Sequence, residues 1–136
     1  MLATIDAVIL EFIKGAQSNE KLKEKKKFVE QIIESYLHED RKIFSYAFKL
    51  VEMYKEEGKS VSMTDFILGA TLMYYHKNNL LLLTKNPSDF PTNIFKLKTY
   101  MNLFHRKAIQ SYGVYSFEQD NQEVRKQDAE APFNSQ

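Results

Sequence analysis

The chain has 136 residues, 43% of them hydrophobic and 27% charged, which is the length and composition of one globular domain. Nineteen Lys and Arg nearly balance eighteen Asp and Glu, and the net charge of +1 does not indicate a nucleic-acid-binding protein by bulk charge alone. The sequence has no Cys, which excludes disulfides, thiol catalysis, iron–sulfur clusters and zinc sites built on Cys.

The first forty residues predict a short strand and two helices. The strand covers residues 2–5, and Asp6 is placed to cap a helix that runs to Lys14 and ends at Gly15. Residues 19–37 form the next predicted helix, because their apolar side chains recur at helical spacing. The chain is then expected to turn before a third helix begins.

Two further helices are predicted in the middle of the chain. The first covers residues 42–57 and ends at Gly58, and the second begins at Ser62 or Met63. The second has almost no polar face, so it is expected to be buried. The inward stripe of the first is predicted to comprise Phe44, Ala47, Leu50, Val51 and Tyr54.

A continuous apolar run at residues 80–84 predicts a strand buried on both faces. Pro87 follows closely and argues against a helix there, because the residue before a proline avoids the α region. Another strand is predicted near residues 112–117. Strands that follow buried helices are typical of an α/β fold, so we expect a small, mainly parallel sheet flanked by helices in a helix-rich protein.

The end of the sequence differs from the rest in composition. Five acidic and two basic side chains lie between Glu118 and Gln136, with few apolar residues among them. Such a segment cannot bury enough surface to offset the entropy of ordering. The sequence therefore predicts a folded domain over residues 1–118 and a disordered acidic tail over residues 119–136.

Two stretches of the sequence place acidic side chains at the ends of predicted helices and strands. Asp65 stands in the first turn of the buried helix, and Asp89 stands just after the apolar strand. Ligands in open α/β sheets bind beyond the carboxyl ends of the strands, so these two carboxylates are expected to converge. The three His lack the spacing of a histidine metal site. Any metal would therefore be a hard cation held by carboxylates, such as Mg²⁺ or Mn²⁺.

These stretches resemble the PIN domain family of metal-dependent nucleases, which includes the virulence-associated C-type toxins of bacterial toxin–antitoxin pairs. Residues 58–70 read GKSVSMTDFILGA, similar to the turn, acid and helix around the family's third acid. Residues 84–90 read TKNPSDF, which matches the family's Thr-x-Asn-x-x-Asp-Phe pattern. Residues 3–15 read ATIDAVILEFIKG, similar to the unit that carries the second acid. The resemblance covers roughly residues 2–117.

The resemblance implies a divalent-metal-dependent endoribonuclease. Glu11, Asp65 and Asp89 would be the catalytic carboxylates and the ligands of Mg²⁺ or Mn²⁺. Thr84 and Asn86 would position the substrate phosphate or support the ligands. The implied partners are RNA, an antitoxin protein and a second copy of the chain. No membrane partner is expected, because no apolar stretch approaches the ~20 residues of a membrane span. A cytoplasmic location is expected.

One departure from the family pattern leaves alternatives open. PIN domains begin with a strand that carries a first Asp, and no such strand precedes the segment with Glu11. The chain would then be truncated at its N-terminus, with weakened metal binding. Alternatively, Asp6 belongs to the opening motif and a later unit is missing. The competing functions are a non-catalytic PIN-derived interaction or RNA-binding module and an unrelated small α-rich protein.

Two basic stretches could contact RNA. Five Lys lie within residues 21–27, a pattern that is usually a solvated helix face and otherwise a phosphate-binding one. The second stretch mixes aromatic and basic side chains and contains Tyr100, His105, Arg106 and Lys107.

Overall fold

A computed structural model of the chain describes residues 1–119. Within those residues the protein is α/β, with four α-helices and two small sheets. The described residues divide into two compact units, the first covering Met1–Asp40 and the second beginning at Arg41. The tail predicted over residues 119–136 lies, apart from Gln119, outside the described residues. No helix among residues 1–119 has both the length and the apolar character needed to cross a bilayer.

The first unit combines two helices with a minimal parallel sheet. Strand β1 (Ala3–Thr4) leads into helix α1 (Asp6–Lys14), and helix α2 (Asn19–Ile32) leads into strand β2 (Ser35–Tyr36). The two strands pair in parallel, with Ala3 opposite Ser35. Ser18 caps α2 by accepting the Lys21 N–H at 3.1 Å.

Two sequence predictions for the first unit are wrong in detail. The helix predicted over residues 19–37 ends at Ile32, because β2 pairs with β1 and the Leu37 N–H donates to the Thr4 carbonyl at 2.8 Å. Asp6 is the first residue of α1 rather than its cap. The Ala7 N–H instead donates to the Glu39 carboxylate at 3.2 Å, an acceptor 32 positions away.

The second unit packs two helices with a three-stranded antiparallel sheet. Its helices are α3 (Arg41–Glu56) and α4 (Met63–Tyr74), and its strands are β3 (Leu82–Thr84), β4 (Lys96–His105) and β5 (Ala108–Ser116). Short 3₁₀ turns cover His76–Asn78 and Pro87–Asp89. The strand order is β3-β5-β4, and both pairings are antiparallel.

Helices α3 and α4 pack closely, and Gly69 on α4 permits this contact. A Cβ atom at position 69 would lie 2.9 Å from side-chain atoms of both Leu50 and Phe95, so only hydrogen fits there. Gly58 ends the turn after α3 with a φ of 65°, as the predicted helix stop requires. The buried core of this unit comprises Ile43, Ala47, Leu50, Tyr54, Ile67, Ala70, Leu72, Met73, Phe90, Phe95, Val114 and Tyr115.

The structure corrects the predicted sheet. The prediction of a mainly parallel sheet is wrong. Among the described residues, only the two-residue strands of the first unit are parallel, and the larger sheet is antiparallel. The apolar run at residues 80–84 is not buried on both faces: Leu81 and Leu83 are 55% and 44% exposed. Leu81 and Leu83 are two positions apart and therefore lie on one face of the chain, and among residues 1–119 that face of the edge strand β3 is left uncovered.

The predicted inward stripe of α3 is confirmed at Ala47, Leu50 and Tyr54, which are buried. It is wrong at its start, where Ile43 is buried and Phe44 is exposed. The sequence prediction also missed β4 and with it a long hairpin. The strand predicted near residues 112–117 is the second half of that hairpin. Its two-residue turn is formed by Arg106 and Lys107, both with positive φ, instead of the Asn and Gly that usually indicate such a turn.

Candidate carboxylate site

The Asp65 carboxylate is held by the residue that caps its helix. Ser62 precedes α4, and its Oγ accepts the Asp65 N–H at 3.2 Å while donating to Asp65 Oδ2 at 2.7 Å. This reciprocal arrangement satisfies a helix N-terminal N–H that has no partner within the helix. It also fixes the orientation of the carboxylate at the positive end of the helix dipole.

Asp89 lies in the 3₁₀ turn Pro87–Asp89, which follows β3. Two buried tyrosines bind the backbone of this turn. Tyr54 on α3 donates its hydroxyl to the Asp89 carbonyl at 2.6 Å, and Tyr115 on β5 donates to the Pro87 carbonyl at 3.3 Å. Because Tyr54 and Tyr115 belong to the core, the turn is fixed to the packed part of the unit.

Thr84 and Asn86 shape the entry to this turn. Thr84 ends β3, and its Oγ1 accepts the Asn86 N–H at 3.1 Å. This local bond is the kind by which Thr side chains stabilise tight turns. The proposed role of both residues in positioning a phosphate stays a prediction.

Asp65 and Asp89 are neighbours, as the two stretches of sequence suggested. The pKa of Asp89 is raised by partial burial, by the negative charge of Asp65 and by a side-chain hydrogen bond with Asp65, while the nearby Lys59 ammonium opposes the shift. Lys59 is held beside the turn by donating to the Ser88 carbonyl at 2.8 Å. Two carboxyl groups therefore share one site, with a cation beside it.

The same two carboxylates act on Tyr54. Burial raises its pKa first, and the charges of Asp65 and Asp89 raise it further. The phenol hence keeps its proton and remains a hydrogen-bond donor to the Asp89 carbonyl. Sequence reasoning missed this role, because Tyr54 sits on the apolar stripe of α3 and looks like any core residue.

Glu11 lies on α1, in the first unit, where it is exposed. The structure thus brings Asp65 and Asp89 together within the second unit, and the roles predicted for Glu11 stay predictions. Across residues 1–119, no three His, Asp or Glu side chains are grouped closely enough to hold a metal ion.

The Asp65–Asp89 pair nevertheless fits a hard divalent cation. Mg²⁺ is commonly held by one or two carboxylates, with waters and substrate phosphates completing its octahedron. Two carboxyl groups whose mutual repulsion contributes to a raised pKa gain most from a cation, because it favours the ionised form of both. Asp65 and Asp89 are the residues that would hold such an ion.

Comparison with known proteins adds no relative. A scan against protein-family models, a search of curated proteins and a search of solved structures each find no match to this chain.

The raised pKa of Asp89 predicts an unusual pH dependence of stability. A carboxyl group that binds its proton more tightly in the folded chain disfavours folding once it ionises. We therefore expect Asp89→Asn to unfold at higher urea concentration than the wild type at pH 7. The difference should shrink as the pH falls through the raised pKa and vanish below about pH 4, where the unfolded chain is also protonated.

Urea denaturation between about pH 4 and about pH 8 measures this effect. Glu52→Gln, which removes one exposed acid from α3, is the matched control and should show no comparable gain at pH 7. An Asp89→Asn variant that is less stable than the wild type at pH 7, by the same amount as at pH 4, would contradict the prediction.

Proposed function

We propose that the chain is a PIN-like, divalent-metal-dependent endoribonuclease and the toxin of a toxin–antitoxin pair. The proposal is supported by the resemblance of the stretches around Asp65 and Asp89 to the PIN pattern. The observation that carries it is the pairing of these two carboxyl groups, one oriented by Ser62 and the other carried on a turn whose backbone Tyr54 holds. Carboxyl groups whose pKa is shifted by burial and a neighbouring charge, as that of Asp89 is, are more frequent at functional sites than elsewhere.

Each residue of the site has a distinct task in this proposal. Asp65 and Asp89 bind Mg²⁺ or Mn²⁺, with Glu11 as the further predicted ligand. Ser62 orients Asp65, and Tyr54 holds the backbone at Asp89. When bound, the ion supplies the chemistry of phosphodiester hydrolysis, by acidifying and orienting a water and by offsetting charge on the leaving oxygen.

The remaining parts of the proposal concern partners and location. RNA is the substrate, an antitoxin protein is the inhibitory partner, and a second copy of the chain completes a homodimer in the cytoplasm. The alternative is a non-catalytic module that binds a partner or RNA, and such a module would not cleave RNA in any metal.

The test compares cleavage of labelled single-stranded RNA with Mg²⁺, with Mn²⁺ and with EDTA. We expect cleavage only with a metal and its recovery when excess metal is restored to the EDTA sample. Mg²⁺ at about 100 times its dissociation constant should also stabilise the fold by about 2.7 kcal/mol, measured as a higher melting temperature. RNA binding without cleavage in any metal would favour the non-catalytic module, and stability indifferent to metal would remove the metal site.

A further inference from the structure

Strands β4 and β5 form an arm with its own surface, defined as residues 99–113 and called the hairpin arm. Within the part of the chain that the structure describes, these strands pair only with each other between positions 101 and 112, because β3 reaches β5 only at Gly113 and beyond. Arg106 and Lys107 form the turn, with φ of 45° and 67°. A two-residue turn with both φ values positive matches the natural twist of a hairpin.

One face of the hairpin arm displays two aromatic rings. Tyr100 lies opposite Gly113 and Phe104 lies opposite Ile109, so their side chains share a face. Phe104 is 84% exposed and Tyr100 is 56% exposed. Between the rings, Ser111 Oγ donates to Asn102 Oδ1 at 2.6 Å. Four residues of strand separate the rings by about 13 Å.

This aromatic face continues into the turn that carries Asp89. Gly113 is paired with Tyr100 on one side and with Thr84 on the other. A Cβ atom at Gly113 would lie 3.4 Å from Pro87 Cγ, so this face of the sheet is the one against the 3₁₀ turn. Tyr115, two positions further on the same face, donates to the Pro87 carbonyl.

The hairpin arm and the residues at its base carry charges of one sign. Residues 96–117 contain Lys96, Lys98, Arg106 and Lys107 and no Asp or Glu. At the base, Lys96 binds Glu118 at 2.7 Å, and Lys98 binds the same carboxylate. At the turn, neither Arg106 nor Lys107 forms an ion pair with any residue in the 1–119 range.

We propose that the hairpin arm binds single-stranded RNA and leads it toward the Asp65–Asp89 pair. Bases stack on Tyr100 and Phe104, and the turn cations contact phosphates. Exposed aromatic rings beside a cationic track are the features that bind single strands without regard to sequence. Two cations that are unpaired within residues 1–119, at the turn of an arm that contains no acid, favour a polyanion over a second copy of the chain. That the RNA is led toward the Asp65–Asp89 pair rests on the proposed function, whereas the binding of RNA to the hairpin arm does not.

The experiment measures fluorescence anisotropy of a labelled RNA of about 12 nucleotides with the full chain, in EDTA to prevent cleavage. Phe104→Ala should weaken binding roughly 5-fold or more, because one stacking platform is lost. Met63→Ala is the matched control, since Met63 is a similarly exposed apolar residue of the same unit, and it should bind RNA as the wild type does.

A second variant tests the charges without disturbing the turn. Arg106→Asn combined with Lys107→Gly supplies the residues that this turn type prefers, so the hairpin should stay folded. We expect about tenfold weaker binding at about 50 mM salt and a shallower fall in affinity toward about 200 mM. Lys55→Gln combined with Lys77→Gln removes two charges elsewhere in the unit and should change binding far less.

Wild-type affinity in both hairpin variants would overturn the inference. Altered sedimentation of the variants without altered RNA affinity would overturn it too and would assign the arm to a second copy of the chain. Loss of RNA binding in the variants, with no cleavage by the wild type in any metal, would leave this inference standing and remove the nuclease. Metal-dependent cleavage by the wild type, together with unchanged RNA binding by the variants, would support the nuclease and remove the inference about the hairpin arm.

Discussion

Asp65→Asn should lower metal-dependent RNA cleavage by about 100-fold or more. The substitution keeps the size of the side chain and an oxygen that can accept from Ser62. It removes one negative charge from a site of two adjacent carboxylates. A metal held at the reacting phosphate contributes several kcal/mol of transition-state stabilisation, and each 1.36 kcal/mol lost lowers the rate tenfold. The initial rate at saturating Mg²⁺ or Mn²⁺ is the measurement.

Two companion variants make the result specific. Glu52→Gln removes an exposed acid outside the site and should cleave RNA at the wild-type rate. Glu11→Gln tests the predicted third ligand, because it should reduce cleavage only if Glu11 contributes to metal binding. Equal cleavage by Asp65→Asn and the wild type would remove the mechanism, and a folded far-ultraviolet circular dichroism spectrum must accompany any loss.

Phe95→Ala should cost about 3–5 kcal/mol of unfolding free energy, the range typical of buried Phe truncations. Phe95 is fully buried, and its ring lies 5.6 Å from that of Phe90 and 6.2 Å from that of Phe117, centroid to centroid. It also lies against Gly69, where backbone and ring approach too closely for a Cβ atom. Truncation therefore opens a cavity that these neighbours cannot fill.

Urea denaturation followed by tyrosine fluorescence measures this loss, since the chain has eight Tyr and no Trp. Phe95→Leu keeps most of the apolar volume and should lose clearly less stability than Phe95→Ala. Phe104→Ala, which truncates a ring on the exposed hairpin arm, should change stability little. A loss below about 1 kcal/mol for Phe95→Ala would show that the ring does not fill the core as described.

Local signals predicted the helices well. Gly15 and Gly58 end α1 and α3, and Ser62 caps α4, because these signals depend only on neighbouring backbone. Asp65 and Asp89 lie together as expected, although the mainly parallel sheet from which their convergence was inferred is wrong. The end of α2 was not, since the pairing of β2 with β1 depends on a residue more than thirty positions away.

The sheet escaped prediction for a different reason. A run of Leu at residues 80–84 has the same composition in a central strand and in an exposed edge strand, and only the pairing partners distinguish them. The turn at Arg106 and Lys107 carries no Gly or Asn, so the hairpin lacked its usual local signal. Tyr54 was placed in the core correctly, but its bond to Asp89 joins positions 35 apart.

The contact from Tyr54 is made to the main chain at position 89, not to the carboxylate. The tyrosine anchor is therefore independent of which side chain of similar size stands there. An amide in place of the acid leaves this anchor intact, so a change in cleavage that follows such an exchange reports on the loss of the carboxylate and not on the loss of the contact with Tyr54.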